Sequence, residues 1–233
     1  MRRRCCARTR RSPRTGRRWR DSTSAPSRPH NSSPRAETSL PARRVGVLAL
    51  QGDVVEHVRA LERAGATAVE VRTPEDLAGV DALVVPGGES TTVIRLLTRF
   101  GLIEPIRRRV REGMPFWGTC MGMIVAARDV AEMDQPTLGL LDVTVRRNAF
   151  GRQVESAEVP LTIPALGAEP FPAVFIRAPW IERTGTDVQT LAEHGGHGVM
   201  VRQRNVLGTS FHPELTGDGR VHGYFLQMIE EAA

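Results

Sequence analysis

Lysine is absent from the 233 residues, so all 32 basic residues are arginine. Without lysine, no side chain can form a Schiff base with an aldehyde cofactor. No apolar stretch approaches the ~20 residues of a membrane span, so we expect no membrane insertion. Cysteine is scarce, and Cys120 is the single one beyond residue 44. The folded part therefore has no internal disulfide or cysteine-rich zinc site, which fits a reducing compartment, and we expect a cytoplasmic protein.

Charge is distributed unevenly along the chain. Residues 1–44 hold 14 arginines against two acidic residues, a net charge of +12. The remaining 18 arginines and 24 acidic residues leave residues 45–233 at −6, and the whole chain at +6. The high pI, near 10.6, therefore comes from the first segment. Because the rest is mildly acidic and has no basic stripe, we expect no nucleic-acid binding by the folded domain.

Residues 1–44 lack periodic apolar positions and are rich in Arg, Ser and Pro. They cannot bury enough apolar surface to offset the entropy of ordering, so we predict a disordered extension ahead of one domain, 45–233. The composition is typical of an organellar transit peptide, but no apolar segment follows the arginine pairs, as export would require. Translated sequence upstream of the true start is a competing interpretation, and tethering to a polyanion is a third.

The pattern beyond residue 44 predicts an α/β fold. Buried-strand runs, "VGVLAL" (45–50), "AVEVR" (68–72), "DALVVPGG" (81–88) and "MPFWG" (114–118), alternate with segments of helical spacing, the last of them 121–129. This alternation predicts a doubly wound, mostly parallel sheet flanked by helices. From residue 139, short β segments separated by turns predict an additional antiparallel or mixed β section before a closing helix, 219–231.

One cysteine lies between two glycines in "FWGTCMGM" (116–123). The form G-x-C-x-G between a strand and a helix is that of a nucleophile elbow, in which a Cβ at either glycine would collide with backbone. The helix start behind Cys120 favours its thiolate, and the N–H of Met121 faces a developing oxyanion. A buried structural cysteine is the alternative, so this pattern alone does not decide.

Two further segments supply the partners that a nucleophile needs. In "FHPE" (211–214), an extended chain would place His212 and Glu214 on one side, so that Glu214 orients the imidazole toward the thiol. "PGGEST" (86–91) ends a strand and opens a helix, where glycines and free N–H groups suit a carboxylate or an oxyanion. It lacks the Gly-Lys-Ser/Thr ending of a P-loop.

Taken together, the motifs resemble those of a known family. "VGVLALQGDVVEH", "VVPGGESTT", "GTCMGM", "VRRNAFGRQVES", "VFIRAPW" and "FHPELTGD" occur in an order and spacing similar to the glutaminase subunits of pyridoxal 5′-phosphate synthase, which are class I glutamine amidotransferases. G-x-C-x-G with H-P-E is common to the class, whereas "GGESTT", "RRNAFGRQV" and "FIRAP" are more discriminating. The resemblance begins near Val45 and leaves residues 1–44 outside.

The resemblance implies hydrolysis of L-glutamine to L-glutamate and ammonia through a thioester. Cys120 is then the nucleophile, His212 the general acid and base, and Glu214 the residue that orients it. Met121 stands where a small residue is expected, which leaves the packing beside the nucleophile open. Backbone N–H groups of Gly88 and Met121 form the oxyanion site, and glutamine contacts come from Gly88, Glu89, Ser90, Arg147, Ile176 and Arg177.

The resemblance also implies a partner, and on the residues themselves we expect no cofactor and no metal. The partner is the synthase subunit that accepts the ammonia and builds pyridoxal 5′-phosphate. In the family, the oxyanion site is assembled when that partner docks, so we expect low activity alone and an interface near "ALQGD" (49–53). A glutaminase serving another biosynthetic amidotransferase and a catalytically inactive interaction subunit remain alternatives.

The four histidines of the folded domain other than His212 show no metal-ligand spacing; they are His57, His194, His197 and His222. We expect each to be hydrogen-bonded in the core or solvated. His57, in "GDVVEH", is expected to be a buried partner near the interface.

Overall fold

The computed structural model describes residues 43–147 and 156–232. The predicted extension, 1–44, lies outside these residues except for Arg43 and Arg44, so its disorder stays a prediction. Most of the "RRNAFGRQV" motif, from residue 148 onward, is also outside. Within the described ranges, no helix is long and apolar enough to cross a membrane.

Within the described ranges, the chain forms twelve strands and six helices. The strands are β1 (Arg44–Leu48), β2 (Thr67–Val71), β3 (Ala82–Val85), β4 (Phe116–Thr119), β5 (Ala127–Val130), β6 (Leu141–Arg146), β7 (Ser156–Leu161), β8 (Phe171–Ile176), β9 (Trp180–Thr184), β10 (Gln189–His194), β11 (His197–Gln203) and β12 (Val206–Thr209). The helices are α1 (Val54–Arg63), α2 (Pro74–Ala78), α3 (Ser90–Arg99), α4 (Ile103–Arg111), α5 (Met121–Ala126) and α6 (Arg220–Glu231), with 3₁₀ turns at Pro164–Leu166 and Pro213–Leu215.

One large mixed sheet organises the fold in the order β2-β1-β3-β4-β12-β11-β9-β6-β5, and β10 pairs with β11. The first five strands of this order are parallel. From β12 onward, the pairs with β11, β9 and β6 are antiparallel, and β5 returns parallel to β6. Strands β7 and β8 form a separate antiparallel pair. The predicted mostly parallel sheet with an added antiparallel section is confirmed.

Helices cover both faces of the parallel part. Successive residues of β3 enter different cores: Leu83 and Val85 pack with the apolar residues of α3, α4 and α5, whereas Ala82 and Val84 pack with those of α1 and α6. This alternation follows from the two-residue period of a strand. Burial on both faces explains why these strands read as continuous apolar runs.

The predicted helix over 121–129 is wrong beyond Ala126. Ala127 has extended backbone, with φ −58° and ψ 156°, and begins β5, which pairs with β6. The carbonyls of Val125 and Ala126 accept N–H groups of Leu138 and Leu140, so cross-chain pairing replaces the next helical turn. Helix α2 and strand β9 are additions that the sequence patterns did not predict.

Candidate active site

Cys120 lies on the sharp turn between β4 and α5, as predicted. Its backbone has φ 48° and ψ −106°, a strained conformation for a residue other than glycine. A Cβ at Gly118 would overlap the backbone of Gly122, and a Cβ at Gly122 would overlap the carbonyl of Val85. The turn therefore requires both glycines. The cysteine is a free thiol with 7% of its surface exposed.

His212 and Glu214 are hydrogen-bonded to each other, with 2.7 Å between Nδ1 and Oε1. The extended geometry expected for this segment is wrong, because Pro213–Leu215 form a 3₁₀ turn. The turn brings the Glu214 carboxylate back to the ring that precedes it by two residues. With Nδ1 engaged, Nε2 is the nitrogen left for the Cys120 thiol, and both side chains line the same cavity.

Burial and charge act on this pair in opposite directions. Burial lowers the pKa of His212, but contacts with Asp53, Cys120 and Glu214 outweigh burial and raise that pKa to about 12. Burial raises the pKa of Glu214, and the neighbouring imidazolium partly offsets that rise. The arrangement favours a proton on the imidazole, which is the state that a histidine reaches after accepting a thiol proton.

Asp53 lies in front of His212, although the sequence motifs did not indicate it as part of the site. Its Oδ2 lies 3.4 Å from Nδ1 of His212, and its side chain is 39% exposed. Asp53, His212 and Glu214 present ligand atoms within 4.8 Å of one another, which is the spacing of a cation site. Because Nδ1 of His212 is already hydrogen-bonded to Glu214, we assign no metal there. The expected absence of a metal stays a prediction.

A cavity of about 360 Å³ opens in front of the cysteine. Except for Glu214, which lies behind the imidazole, all the residues predicted to form the site line this cavity. The lining residues are Gln51, Asp53, Gly88, Glu89, Ser90, Cys120, Met121, Ile124, Arg147, Ile176, Arg177, Pro179, His212 and Leu215.

Two opposite charges lie side by side in this cavity. Arg147 Nη2 is 3.0 Å from Glu89 Oε1. Glu89 also caps α3, since its Oε2 accepts the N–H of Thr92 at 2.8 Å and the hydroxyl of Thr91. Burial raises the pKa of Glu89, but the hydrogen bonds from Thr91 and Thr92 prevail and lower it to about 2. The cavity thus presents a fixed carboxylate beside a guanidinium.

The segments 51–53 and 87–89 approach each other closely. The N–H of Glu89 donates to Gln51 Oε1 at 2.8 Å, and the N–H of Asp53 lies 3.4 Å from the carbonyl oxygen of Gly87. A Cβ at Gly88, where φ is +152°, would meet the Gln51 side chain. Because its carbonyl faces Asp53, the Gly87–Gly88 peptide directs the N–H of Gly88 away from Asp53.

The other histidines have different environments. His57 is buried against Trp117, with its Nε2 3.1 Å from Thr119 Oγ1, which agrees with a buried partner role. His194 stacks on Phe175 and His197 on Trp180. His222 contradicts the expectation, because it is buried and neither ring nitrogen has a hydrogen-bond partner among the described residues.

The chain is similar in sequence to a known protein family and to known proteins. The model of the SNO glutamine amidotransferase family matches residues 47–231. The chain is 58% identical over 187 residues to "Pyridoxal 5′-phosphate synthase subunit PdxT" of Streptomyces avermitilis, covering 79% of this chain and 93% of that protein. It is 54% identical over 186 residues to the protein of the same name from Moorella thermoacetica, covering 80% and 99%.

Solved structures agree with the fold. A crystal structure described as a glutamine amidotransferase superposes with a TM-score of 0.76 at 51% identity, over 80% of this chain and 98% of that one. A chain of the PurLQS structure from Thermotoga maritima superposes with a TM-score of 0.60 at 18% identity, over 82% and 98%. At that identity the second similarity concerns the fold alone.

Proposed function

The chain belongs to the SNO glutamine amidotransferase family, and on that premise we propose that it is the glutaminase subunit of a pyridoxal 5′-phosphate synthase. It hydrolyses L-glutamine to L-glutamate and ammonia. The observation that carries this proposal is that one cavity is lined by a cysteine on a strained turn and by a histidine whose Nδ1 is hydrogen-bonded to a buried carboxylate. Residues 45–233 are the catalytic domain.

In the reaction, the Cys120 thiolate attacks the side-chain amide carbon of glutamine. The oxyanion that forms is held by N–H groups, of which that of Met121 begins α5 and so has no acceptor within the helix. The proton on His212 passes to the departing ammonia, which leaves a thioester. His212 then takes a proton from the water that cleaves the thioester, and Glu214 stabilises the imidazolium formed in each half of the reaction.

The charge pair in the cavity suits a free amino acid. Glutamine carries an α-ammonium beside an α-carboxylate, and the carboxylate of Glu89 lies beside the guanidinium of Arg147. In this arrangement Glu89 pairs with the α-ammonium and Arg147 with the α-carboxylate, so both charged groups of glutamine have a partner. Ser90, Ile176 and Arg177, which line the same cavity, complete the contacts to glutamine.

The partner is the synthase subunit, which receives ammonia directly. Segment 51–53 reaches the active site through the N–H of Asp53, 3.4 Å from the carbonyl of Gly87. A partner that shifts this segment therefore also shifts the Gly87–Gly88 peptide. The N–H of Gly88 in that peptide belongs to the proposed oxyanion site. We therefore expect low activity for the isolated chain. The free thiol that the reaction needs suits a reducing compartment, and the proposed location is the cytoplasm.

The proposal is tested by measuring glutamate release with and without the synthase subunit from the same organism. Cys120→Ala, purified with that subunit, should lose activity by at least about 10³-fold, because the residues act as a unit. Binding of the subunit should persist and serves as the control. Unchanged glutamate release by Cys120→Ala would contradict the mechanism.

The identity of the partner is tested separately. The wild-type chain should support glutamine-dependent formation of pyridoxal 5′-phosphate with its synthase subunit. An active glutaminase that transfers ammonia only to a different biosynthetic synthase would favour the first alternative. A wild-type complex that binds but never releases glutamate would favour an inactive interaction subunit.

A further inference from the structure

His57 lies behind the proposed catalytic pair, on the opposite side of Glu214 from His212. It is on α1 and has no exposed surface. Its Nε2 is 3.3 Å from Oε2 of Glu214, whereas Oε1 of the same carboxylate is hydrogen-bonded to His212. The two oxygens of one buried carboxylate thus face two different imidazoles.

The second oxygen of Glu214 needs a donor. The Glu214 side chain has no exposed surface, and Oε2 has no hydrogen bond of good geometry from the described residues. A buried carboxylate oxygen without a donor loses its solvation energy and gains nothing in return. Such a carboxylate is more easily protonated, and a protonated Glu214 cannot stabilise an imidazolium on His212.

The contacts of His57 indicate which of its nitrogens carries the proton. If the proton were on Nδ1, the lone pair of Nε2 would face a carboxylate oxygen at 3.3 Å, and a buried Nδ1–H would have no acceptor among the described residues. With the proton on Nε2, that nitrogen is hydrogen-bonded to Thr119 Oγ1 at 3.1 Å and lies 3.3 Å from Glu214 Oε2. The unpaired Nδ1 is then an acceptor, and buried acceptors without partners are tolerated better than donors.

We infer that His57 is a positioning residue of the glutaminase reaction, whose Nε2–H, with the nitrogen 3.3 Å from the second oxygen of Glu214, stabilises the negative charge of that carboxylate. The inference rests on the proposed function. His57 does not line the glutamine cavity, so it acts through Glu214 and through Thr119, the residue that directly precedes Cys120. Burial, with His222 and His212 nearby, lowers the pKa of His57, so its ring is neutral and donates a hydrogen bond without adding a charge.

Three substitutions separate hydrogen bonding from space filling. His57→Leu keeps similar volume and removes the donor, so kcat with the synthase subunit present should fall about 10- to 100-fold, the range for partners that orient a histidine at a metal site. KM for glutamine should stay within about twofold. A glutamine amide can reach the position of Nε2, so His57→Gln should retain most of kcat. An asparagine amide reaches only the position of Nδ1, so His57→Asn should be as impaired as His57→Leu.

His222 supplies the matched control. It is buried next to His57, with 5.6 Å between ring centroids, and has no hydrogen bond to the catalytic pair. His222→Leu should keep kcat within about twofold. Equal losses in His57→Gln and His57→Leu, or wild-type kcat in a folded His57→Leu, would overturn the inference. If no variant folds, the wild-type protein still provides the test below.

Nitrogen chemical shifts of ¹⁵N-histidine-labelled wild-type protein report the tautomer directly. We expect His57 to be protonated at Nε2 and unprotonated at Nδ1, and the opposite tautomer would refute the inference. This measurement does not depend on the substrate. A wild-type complex without glutaminase activity would refute the proposed function instead, so the two failures are distinguishable.

Discussion

His222 makes the stability of this protein sensitive to acid. Its ring lies on α6 in contact with Trp117, 5.0 Å between centroids, and neither nitrogen has a hydrogen-bond partner among the described residues. Burial, with a smaller contribution from the positive charge of Arg63, lowers its pKa from 6.5 to about 4. The folded protein therefore keeps this imidazole neutral at a pH where the unfolded chain would protonate it.

The sign and size of the effect follow from that difference. Below pH 6.5 the His222 imidazole is protonated in the unfolded chain, whereas in the folded protein it stays neutral down to about pH 4. The free energy of unfolding therefore falls as the pH falls through this window. For one histidine with these two pKa values, the loss between pH 7.5 and pH 4.5 is about 2–3 kcal/mol. That is a large share of the stability of an ordinary domain.

The assay is urea unfolding of wild type and His222→Leu at pH 7.5 and 4.5. The substitution changes packing at both pH values, but only the wild type should show the additional acid-dependent loss of about 2–3 kcal/mol. The variant should still lose some stability in acid, because burial also lowers the pKa of His57, and this loss is common to both proteins. Phe225→Leu is the control, because it changes packing beside Trp117, with 5.4 Å between the two ring centroids, and removes no titratable group. It should retain the full wild-type loss of stability in acid. Identical losses in wild type and His222→Leu would refute the reasoning.

Two further predictions concern the active site. Gly122→Ala places a Cβ against the carbonyl of Val85, so it should lower the free energy of unfolding by about 2 kcal/mol or more and remove most of the glutaminase activity. The control Gly223→Ala, with open space on α6, should raise the free energy of unfolding by up to about 1 kcal/mol. Urea unfolding of both variants checks this, and a fully stable Gly122→Ala would contradict it. Glu89→Gln removes the charge opposite Arg147 and should raise KM for glutamine by about tenfold or more, with a smaller change in kcat. Steady-state kinetics with the synthase subunit present measure both constants, and an unchanged KM would exclude Glu89 from binding the ammonium group.

The parts of the site that could be predicted from the sequence are those fixed by local geometry. Gly118 and Gly122 lie two residues before and after Cys120, a pattern that indicates a sharp turn, and the structure contains that turn. His212 and Glu214 are two residues apart, so their contact was predictable although the backbone between them is a 3₁₀ turn and not extended. In each case neighbours in the chain carry the signal.

Contacts between distant elements gave no such signal. Asp53 reaches His212 across 159 positions of the chain, and His57 reaches Glu214 across a similar separation. Burial of His57 was expected from "GDVVEH", but nothing in that motif shows that Asp53 and His57 lie beside the catalytic pair. Strand β5 was missed for a related reason, because its pairing with β6 overrides the helical pattern that continues from α5.

The sheet explains how residues so far apart meet, and where the site can move. The register aligns Thr119 of β4 with Thr209 of β12, so Cys120 and His212 emerge from adjacent carboxyl ends. The N–H of Cys120 donates to the carbonyl of Thr209 at 2.7 Å, and its own carbonyl accepts the N–H of Met123 at 3.1 Å, so the strained residue is held on both sides. On the opposite side of the cavity, segments 51–53 and 87–89 are joined by a 3.4 Å contact from Asp53 N to the carbonyl oxygen of Gly87 and by one hydrogen bond from the N–H of Glu89 to the Gln51 side chain, and three of the residues there are glycines. A partner that activates this enzyme should therefore act on segments 51–53 and 87–88 and leave the cysteine turn in place.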